Sequence, residues 1–267
     1  MQKTFTLPRP AKNIETAVVY RKEDEFASHS YNRGFWETAS GHIITNFSLT
    51  KVNYKGDPDN LSHNHLARNP GGRRLMSLRS EDRGQTWKVS PFPADTAKER
   101  ADDEGMESMS GIGPIDYLNK DVLVANYSGG YHPQSRSFVR ISKDAGHTWS
   151  RSFRLPLDGL QSLGAIYSSL VRPDGRCLLF MFEISKDGWN RHNLVYRSTD
   201  DGSTFHFMSF ITPRDDPFAA GVTRREGVEL AYGGHRWFYP RGYLLPSGRI
   251  LCSLRCQRDR TCCLSQP

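Results

Sequence analysis

Short apolar and strand-like runs occur along most of the chain, separated by turn signals. Ser-Gly, Asp-Gly and Asn-Lys between β-rich runs are typical of hairpin turns. No segment shows the period of an amphipathic helix. The pattern therefore predicts an all-β protein built from antiparallel hairpins. Four segments carry it most clearly, each with a turn dipeptide before an apolar run: SGHIITNF (40–47), NKDVLVANY (119–127), DGRCLLFMF (174–182) and SGRILCSL (247–254).

A second pattern, Ser-x-Asp-x-Gly-x-Thr-aromatic, occurs three times along the chain. Its copies are SEDRGQTW (80–87), SKDAGHTW (142–149) and STDDGSTF (198–205). A nearly constant spacing of this size indicates a repeat architecture. A strand-like run precedes each copy, so each repeat is predicted to hold four short strands with the octapeptide between the third and the fourth. Four-stranded sheets repeated radially form a β-propeller, which we predict as a single domain over residues 1–267.

The residues of the octapeptide suit a turn rather than a binding site. Its glycine can adopt a positive φ, its aspartate can accept hydrogen bonds from the following backbone NH groups, and its aromatic residue can pack between sheets. One or two acidic residues in each copy are too few for a calcium loop. We therefore predict that the aspartates lie on outward turns, away from any ligand pocket. The residues concerned are Asp82, Asp144 and Asp200, with Gly84, Gly146 and Gly202.

Composition narrows the classes of function. The chain has 36 Lys+Arg and 29 Asp+Glu, a net charge of +7, without a basic stripe or a nucleic-acid-binding motif. We expect no nucleic-acid partner, and the diffuse positive charge suits an anionic ligand such as an acidic sugar. No segment is apolar enough to span a bilayer or to resemble a signal peptide, so we expect a cytoplasmic protein. Nothing in the sequence specifies an oligomeric state.

The cysteines indicate free thiols rather than disulfides or a metal site. There are five, an odd number. All but Cys177 are crowded at the C-terminus, and Cys256, Cys262 and Cys263 lack the paired spacing of a zinc site. We predict no cofactor and no metal.

The octapeptide resembles the Asp-box, or BNR repeat, of the sialidase (neuraminidase) superfamily. This resemblance implies a six-bladed β-propeller with exo-α-sialidase-type hydrolase activity on terminal, acidic sugars. The repeat spacing places a fourth octapeptide near position 270, so we expect a C-terminally incomplete propeller of about three and a half blades with negligible turnover of an aryl sialoside. The alternatives are a propeller glycosidase or lyase acting on other sugars, and a non-enzymatic propeller that binds glycan or protein.

The resemblance also implies a set of site residues: arginines on the substrate carboxylate, an aspartate acid/base, and a tyrosine nucleophile activated by a glutamate. Bidentate pairing with a carboxylate explains the need for arginine, and sialidases depart from the usual two-carboxylate scheme. In YPRGYLLPSGRILCSLR (239–255), Arg255 matches the position of a family arginine, seven residues after Gly248. Tyr239 stands where the family has its glutamate. Arg241, on the same strand, is a further candidate for substrate binding.

The remaining candidates come from the innermost strands and their loops. Arg33 is a stand-in for the first family arginine. Asp57 and Asp59 lie in a long first loop, either as the acid/base or as part of a turn. Glu229 either replaces the missing glutamate or is a solvated loop charge. Asp116 is a channel candidate in the second repeat. We predict that Arg33, Arg255 and the Asp57/Asp59 loop face one cleft, and that the nucleophile and third arginine belong to blades beyond residue 267.

Overall fold

The computed structural model describes residues 12–14, 16–28, 34–56, 74–92, 113–128, 133–184, 191–212 and 236–257. This part of the chain forms fourteen β-strands and no helix, which confirms the all-β prediction for these residues. Accordingly, the described residues contain no helix with the length and apolarity needed to cross a membrane. The strands form four sheets that follow one another in chain order.

Sheet 1 contains five strands. Strands β1 and β2 both pair with one edge of β3, and β4 pairs with the other edge of β3 and with β5. The strands are β1 (Glu25–Ser28), β2 (Phe35–Glu37), β3 (Ile43–Lys51), β4 (Arg74–Ser80) and β5 (Lys88–Pro91).

In sheets 2, 3 and 4 every pairing is antiparallel and joins strands that are consecutive in the chain. Sheet 2 consists of β6 (Leu123–Ser128), β7 (Ser137–Ser142) and β8 (Phe153–Arg154). Sheet 3 consists of β9 (Ser168–Val171), β10 (Cys177–Ile184), β11 (Arg191–Ser198) and β12 (Phe205–Phe210). Sheet 4 consists, within the described residues, of β13 (Arg236–Leu244) and β14 (Ile250–Gln257).

The connections that lead into β3, β6, β10 and β14 lie at one end of the protein, which we call the turn end. Ala39, in the first such connection, donates its backbone NH to the Asp121 side chain in the second, at 2.9 Å. Gly175, in the third, faces Leu118 in the second. The octapeptides share this end, because antiparallel pairing brings alternate connections to the same side. The opposite end, at which β3, β6, β10 and β14 end, we call the loop end.

Two of the repeats depart from the predicted four strands. In the first, two strands, β1 and β2, pair with the same edge of β3, where a single strand was predicted. In the second, residues 113–122 form no strand at all. Pro114 has no NH for a sheet ladder, and Ile115 donates its NH to the carbonyl of Asp201 in the next repeat, at 2.9 Å, rather than to β6. The neighbouring turn therefore takes the place of a strand partner.

The aromatic residues of the second and third octapeptides fill seams between sheets, as predicted, whereas Trp87 of the first packs with residues of its own repeat. Trp149 packs against Trp36 and Phe92 of the first repeat, with ring centres 5.5 and 5.1 Å apart. Phe205 packs 6.0 Å from Tyr117 of the second repeat. The largest apolar cluster lies in this second seam, between sheets 2 and 3. Each of these octapeptides thus fastens its sheet to the preceding one.

The first two octapeptides form the predicted turn. Asp82 accepts hydrogen bonds from the Ser80 hydroxyl at 2.8 Å, and from the Thr86 NH and hydroxyl at 2.8 and 2.6 Å. Asp144 repeats this pattern with Ser142 and Thr148. These bonds use the carboxylate oxygens within the turn, which is a structural role. The octapeptide glycines all have a positive φ, as predicted: Gly84 at 94°, Gly146 at 80° and Gly202 at 71°.

In the third octapeptide the prediction that Asp200 is the turn acceptor is wrong. Its neighbour Asp201 accepts the Thr199 hydroxyl at 2.7 Å, and the Ser203 NH and hydroxyl at 3.0 and 2.6 Å. Asp200 instead forms an ion pair with Arg176. The turn has shifted by one residue relative to the other two copies.

The physical reason for this shift lies in the first serine of the octapeptide. In the first two copies that hydroxyl accepts the NH of the turn glycine, at 2.7 Å for Gly84 and 2.8 Å for Gly146. In the third copy the Ser198 hydroxyl accepts the NH of Cys177 instead, at 3.0 Å. Thr199 and Asp201 are thereby left to close the turn one residue later.

Candidate functional site

A cleft of about 440 Å³ opens at the turn end, where the four sheets meet. Residues from all four repeats contribute to its wall, with β2, β9 and β13 among the lining elements. The propeller prediction requires this arrangement, and the number of sheets in a closed ring stays a prediction. The lining includes Trp36 and Glu37 of the first repeat, Tyr117 of the second, Ser169 and Val171 of the third, and Leu244 of the fourth.

Asp116 lies at the turn end and not in a strand. It is exposed, and its carboxylate accepts the NH of Leu118 at 3.0 Å, which closes a local turn. Arg255 lies near the last residue of β14, at the loop end. The structure therefore separates these two predicted residues along the strand direction, and the prediction that a strand carries Asp116 is wrong. Its role in substrate binding stays a prediction.

At the loop end the structure brings Tyr239 and Arg255 together. The Arg255 guanidinium lies 5.5 Å from the centre of the Tyr239 ring and 5.8 Å from that of Phe238. The Tyr239 ring in turn meets Tyr167 edge to face at 4.7 Å. Cation–π contacts of this length contribute about 0.5–1 kcal/mol at exposed sites. We call these four residues the arginine–aromatic corner.

A β-bulge positions the corner. Phe238 pairs with Arg255 and Arg241 with Ser253, so β13 has one more residue than β14 between these pairs. Tyr239 takes up the extra residue with φ of 59°, in the left-handed region. A non-glycine residue there costs about 1–2 kcal/mol, and such conformations concentrate at functional sites. The bulge allows Tyr239 to contact Tyr167 and leaves its ring 39% exposed.

Sequence reasoning missed a phenol–carboxylate pair at the loop end of sheet 1. Tyr20 donates its hydroxyl to Glu25, whose carboxylate also accepts from the Arg74 guanidinium and lies 3.5 Å from the Lys51 ammonium. The Glu25 side chain is only 2% exposed. The Tyr20 hydrogen bond lowers the pKa of Glu25, and burial together with that bond raises the pKa of Tyr20 to about 12.

This pair is organised as a clamp. The Tyr20 ring packs on Phe47 of β3 at 5.1 Å, and its protonated hydroxyl ties the segment before β1 to a buried carboxylate. An open hollow of about 1020 Å³ borders the same segment. The two partners are only five residues apart, but Arg74 comes from the distant strand β4, and that contact carries no signal in the sequence.

A second buried carboxylate lies at the loop end of sheet 3. Glu183, 1% exposed near the end of β10, accepts the NH of Gln161 at 3.1 Å and lies 3.3 Å from Nδ1 of His192 on β11. The Glu183 carboxylate contacts protein groups, so we assign it a structural role: it holds the segment that precedes β9 against β10. Within the described part of the chain, no three His, Cys, Asp or Glu side chains are placed to hold a metal ion.

The other predicted site residues, Arg33, Asp57, Asp59 and Glu229, lie outside the described residues. Their convergence with Arg255 on one cleft stays a prediction. Arg241 is exposed on β13, opposite Ser253.

No family model matches the chain, and no curated protein matches it significantly. Among solved structures it is similar to a Fusarium graminearum GH93 α-L-arabinofuranosidase in complex with arabinobiose (15% identity, TM-score 0.49, 85% of this chain and 56% of that one). A Penicillium chrysogenum α-L-arabinanase gives 14% identity and a TM-score of 0.47 over 85% of this chain and 57% of that one. A Trypanosoma rangeli sialidase mutant that displays trans-sialidase activity gives 13% identity and a TM-score of 0.41 over 79% of this chain and 34% of that one. The chain thus spans little more than half the length of the two arabinan-active proteins, and similarity this low assigns neither a fold nor a function.

Proposed function

We propose that this protein is a glycan-active β-propeller that hydrolyses terminal, acidic sugars in the manner of an exo-α-sialidase. The observation that carries the proposal is the arginine–aromatic corner at the loop end. A guanidinium beside an exposed aromatic ring, here that of Tyr239, can pair with a sugar carboxylate while the apolar face of the sugar packs on the ring. A strained bulge residue at the same point supports a binding role.

In this proposal each corner residue has a distinct task. Arg255 binds the carboxylate of the terminal sugar through its planar fork of donors. Tyr239 and Tyr167 set the orientation of the sugar ring. Acid/base chemistry is assigned to Asp57 or Asp59, with Glu229 as the activating carboxylate, as the sequence predicts. The Tyr20–Glu25 clamp has no assigned part in the chemistry.

The test measures binding and hydrolysis on matched sugars. Ligand-observed NMR would compare a methyl α-sialoside, a methyl β-glucuronide and a methyl α-arabinofuranoside, and the corresponding aryl glycosides would report hydrolysis. We expect the acidic sugars to bind, and Arg255→Gln to weaken their binding about tenfold or more, the loss of one charge-assisted pair. Arg83→Gln removes an exposed arginine from the first octapeptide and should leave binding unchanged.

The alternatives correspond to different outcomes. Preference for the neutral arabinoside, unaffected by Arg255→Gln, would favour a propeller glycosidase of other specificity and would overturn the acidic-sugar assignment. Because the sequence predicts negligible turnover of an aryl sialoside, sugar binding without hydrolysis agrees both with that prediction and with a non-enzymatic glycan-binding protein, whereas hydrolysis of the sialoside would exclude the non-enzymatic alternative. Absence of binding to all three sugars would reject the corner as a sugar site.

A further inference from the structure

Three charged side chains line the turn-end cleft, and the chain neutralises only one of them. They are Glu37 of the first repeat, Lys120 of the second and Arg172 of the third. Arg172 forms an ion pair with Asp174 at 3.2 Å. Among the residues that the structure describes, the exposed side chains of Glu37 and Lys120 form no ion pair and no hydrogen bond. The cleft therefore presents one acid and one base that are both available to a partner.

Exposed apolar side chains lie in the same cleft. Phe35 is 63% exposed and Leu118 is 56% exposed, and both belong to the lining. A Cβ added at Gly175 would lie 3.8 Å from Leu118 Cδ1, so Leu118 reaches the turn of the third repeat. Single exposed apolar residues are ordinary on a protein surface, but several around one cleft mark a contact surface.

The first and second repeats contribute the same arrangement with opposite charge. Phe35 is followed two residues later by Glu37, and Leu118 is followed two residues later by Lys120. A two-fold axis that passes between these repeats places Glu37 of one copy opposite Lys120 of a second copy, and Phe35 opposite Leu118. Each contact then occurs twice, which is the form of an isologous interface.

We propose that the turn end is the interface of a symmetric dimer, in which a second copy of this chain covers the cleft. Burial of the apolar residues supplies most of the free energy of association, and the two ion pairs fix the register of the copies. The arginine–aromatic corner lies at the loop end, so it stays open in both copies. The inference goes beyond the proposed function and does not rest on it.

A small anion is a less suitable occupant of this cleft than a second copy. The Glu37 carboxylate repels an anion, and the Arg172 guanidinium is already paired with Asp174. A second copy provides an opposite charge for Glu37 and for Lys120 at the same time.

Sheet 4 also exposes apolar residues, but it is less suited to self-association. Tyr243 and Leu251 are 50% and 54% exposed, and Arg241 is exposed beside them. Residues 236–257 contain no Asp or Glu. Packing this sheet against its own copy would therefore bring like charges together, which disfavours association.

The experiment is sedimentation of the full chain over a series of concentrations, which measures the dissociation constant of the dimer. We expect a reversible monomer–dimer equilibrium. Glu37→Lys and Lys120→Glu each replace both ion pairs by contacts of like charge, so each should raise the dissociation constant about tenfold or more. Lys55→Glu makes the same change of charge at an exposed residue that follows β3, at the loop end, and should change the constant by less than about twofold.

Charge reversal at both positions distinguishes the proposed pairing from a general effect of charge. The double variant Glu37→Lys/Lys120→Glu again has opposite charges across the two-fold axis, so its dissociation constant should return to within about threefold of the parent value. An equimolar mixture of the two single variants should form a heterodimer, because one copy then carries two positive charges and the other two negative charges. Thermal unfolding checks the fold, and both single variants should keep the parent midpoint because neither side chain has a partner within the described residues.

Three results would overturn the proposal. The first is a parent chain that stays monomeric up to about 1 mM, since association weaker than this is too weak for a specific interface. The second is a dimer that forms equally well in both single variants. The third is a dimer that Leu251→Lys disrupts and the turn-end variants do not, which would place the interface on sheet 4.

Discussion

Arg255 and Tyr239 lie on paired strands, and the guanidinium is held 5.5 Å from the ring centre because a bulge places Tyr239 in the left-handed region. Regular pairing would have placed Tyr239 opposite Leu254 with its side chain on the face away from Arg255. The contact therefore depends on the conformation of a single residue. This dependence can be tested by substitution at that residue.

Replacing Tyr239 by glycine should separate binding from stability. Glycine relieves the strain of a positive φ, worth about 1 kcal/mol, which offsets part of the lost contact with Tyr167. We expect a small change in the free energy of unfolding, measured in urea, together with a large loss of sugar binding. Tyr243→Gly, at a regular strand position of similar exposure, is the matched control and should destabilise by about 0.5–1 kcal/mol. A strong loss of stability in Tyr239→Gly would show that the corner serves folding.

Gly146→Ala should destabilise the protein by about 1 kcal/mol or more. Gly146 has a φ of 80°, and an added Cβ would lie 3.2 Å from Leu123 Cδ1 and 3.4 Å from Ile44 Cδ1, in the seam between sheets 1 and 2. Gly248 has nearly the same φ, 78°, with no atom within 4 Å of an added Cβ. Gly248→Ala therefore measures the strain alone, and chemical denaturation should show the smaller effect there. Equal losses of stability in the two variants would mean that the seam accommodates the added methyl group with no loss of free energy.

In the third octapeptide the sequence pattern predicts Asp200 as the turn acceptor, whereas the structure has Asp201 in that role. Asp201→Ala removes three hydrogen bonds of the turn and should lower the thermal unfolding midpoint, whereas Asp200→Ala removes an exposed ion pair with Arg176 that contributes little. Scanning calorimetry of the two variants gives the comparison. A lower midpoint in Asp200→Ala than in Asp201→Ala would mean that Asp200 closes the turn, as the sequence pattern predicted.

Acid should weaken the octapeptide turns. The hydroxyl and NH of Thr86, with the Ser80 hydroxyl, lower the pKa of Asp82 to about 2, and those of Ser203, with the Thr199 hydroxyl, lower the pKa of Asp201 to about 2. A carboxyl whose pKa is lower in the folded state stabilises the fold above its unfolded pKa and loses that contribution as pH falls through the folded value.

The resulting loss should fall between about pH 4 and pH 2. Urea unfolding across this range should show a shallower dependence on pH in Asp201→Asn than in the parent chain, because the amide does not titrate. A parent stability that is flat down to pH 2 would contradict the assignment.

The sequence by itself determined the all-β class and the turns of the first two octapeptides within the described residues. Hairpin dipeptides and the positive φ of Gly84 and Gly146 are local properties, since each depends on a few neighbouring residues whose steric and hydrogen-bonding preferences act within one turn. The packing of Trp149 and Phe205 between sheets was predicted from the repeat, because a large aromatic residue gains most from burial where neighbouring repeats meet; Trp87, at the same position of the first copy, packs within its own repeat.

Only the tertiary structure decided features that depend on partners distant in the chain. The shift from Asp200 to Asp201 arises because the Ser198 hydroxyl on β11 accepts the NH of Cys177 on the neighbouring strand β10. Residues around Ile115 form no strand because the NH of Ile115 donates to the carbonyl of Asp201 in the next repeat. The bulge at Tyr239 and the exposure of Arg241 depend on how sheet 4 packs against Phe180. The residues near a donor or acceptor in the sequence are the same whichever distant partner it binds. The partner is the one that gives the folded chain the lowest free energy, and this depends on the whole tertiary structure.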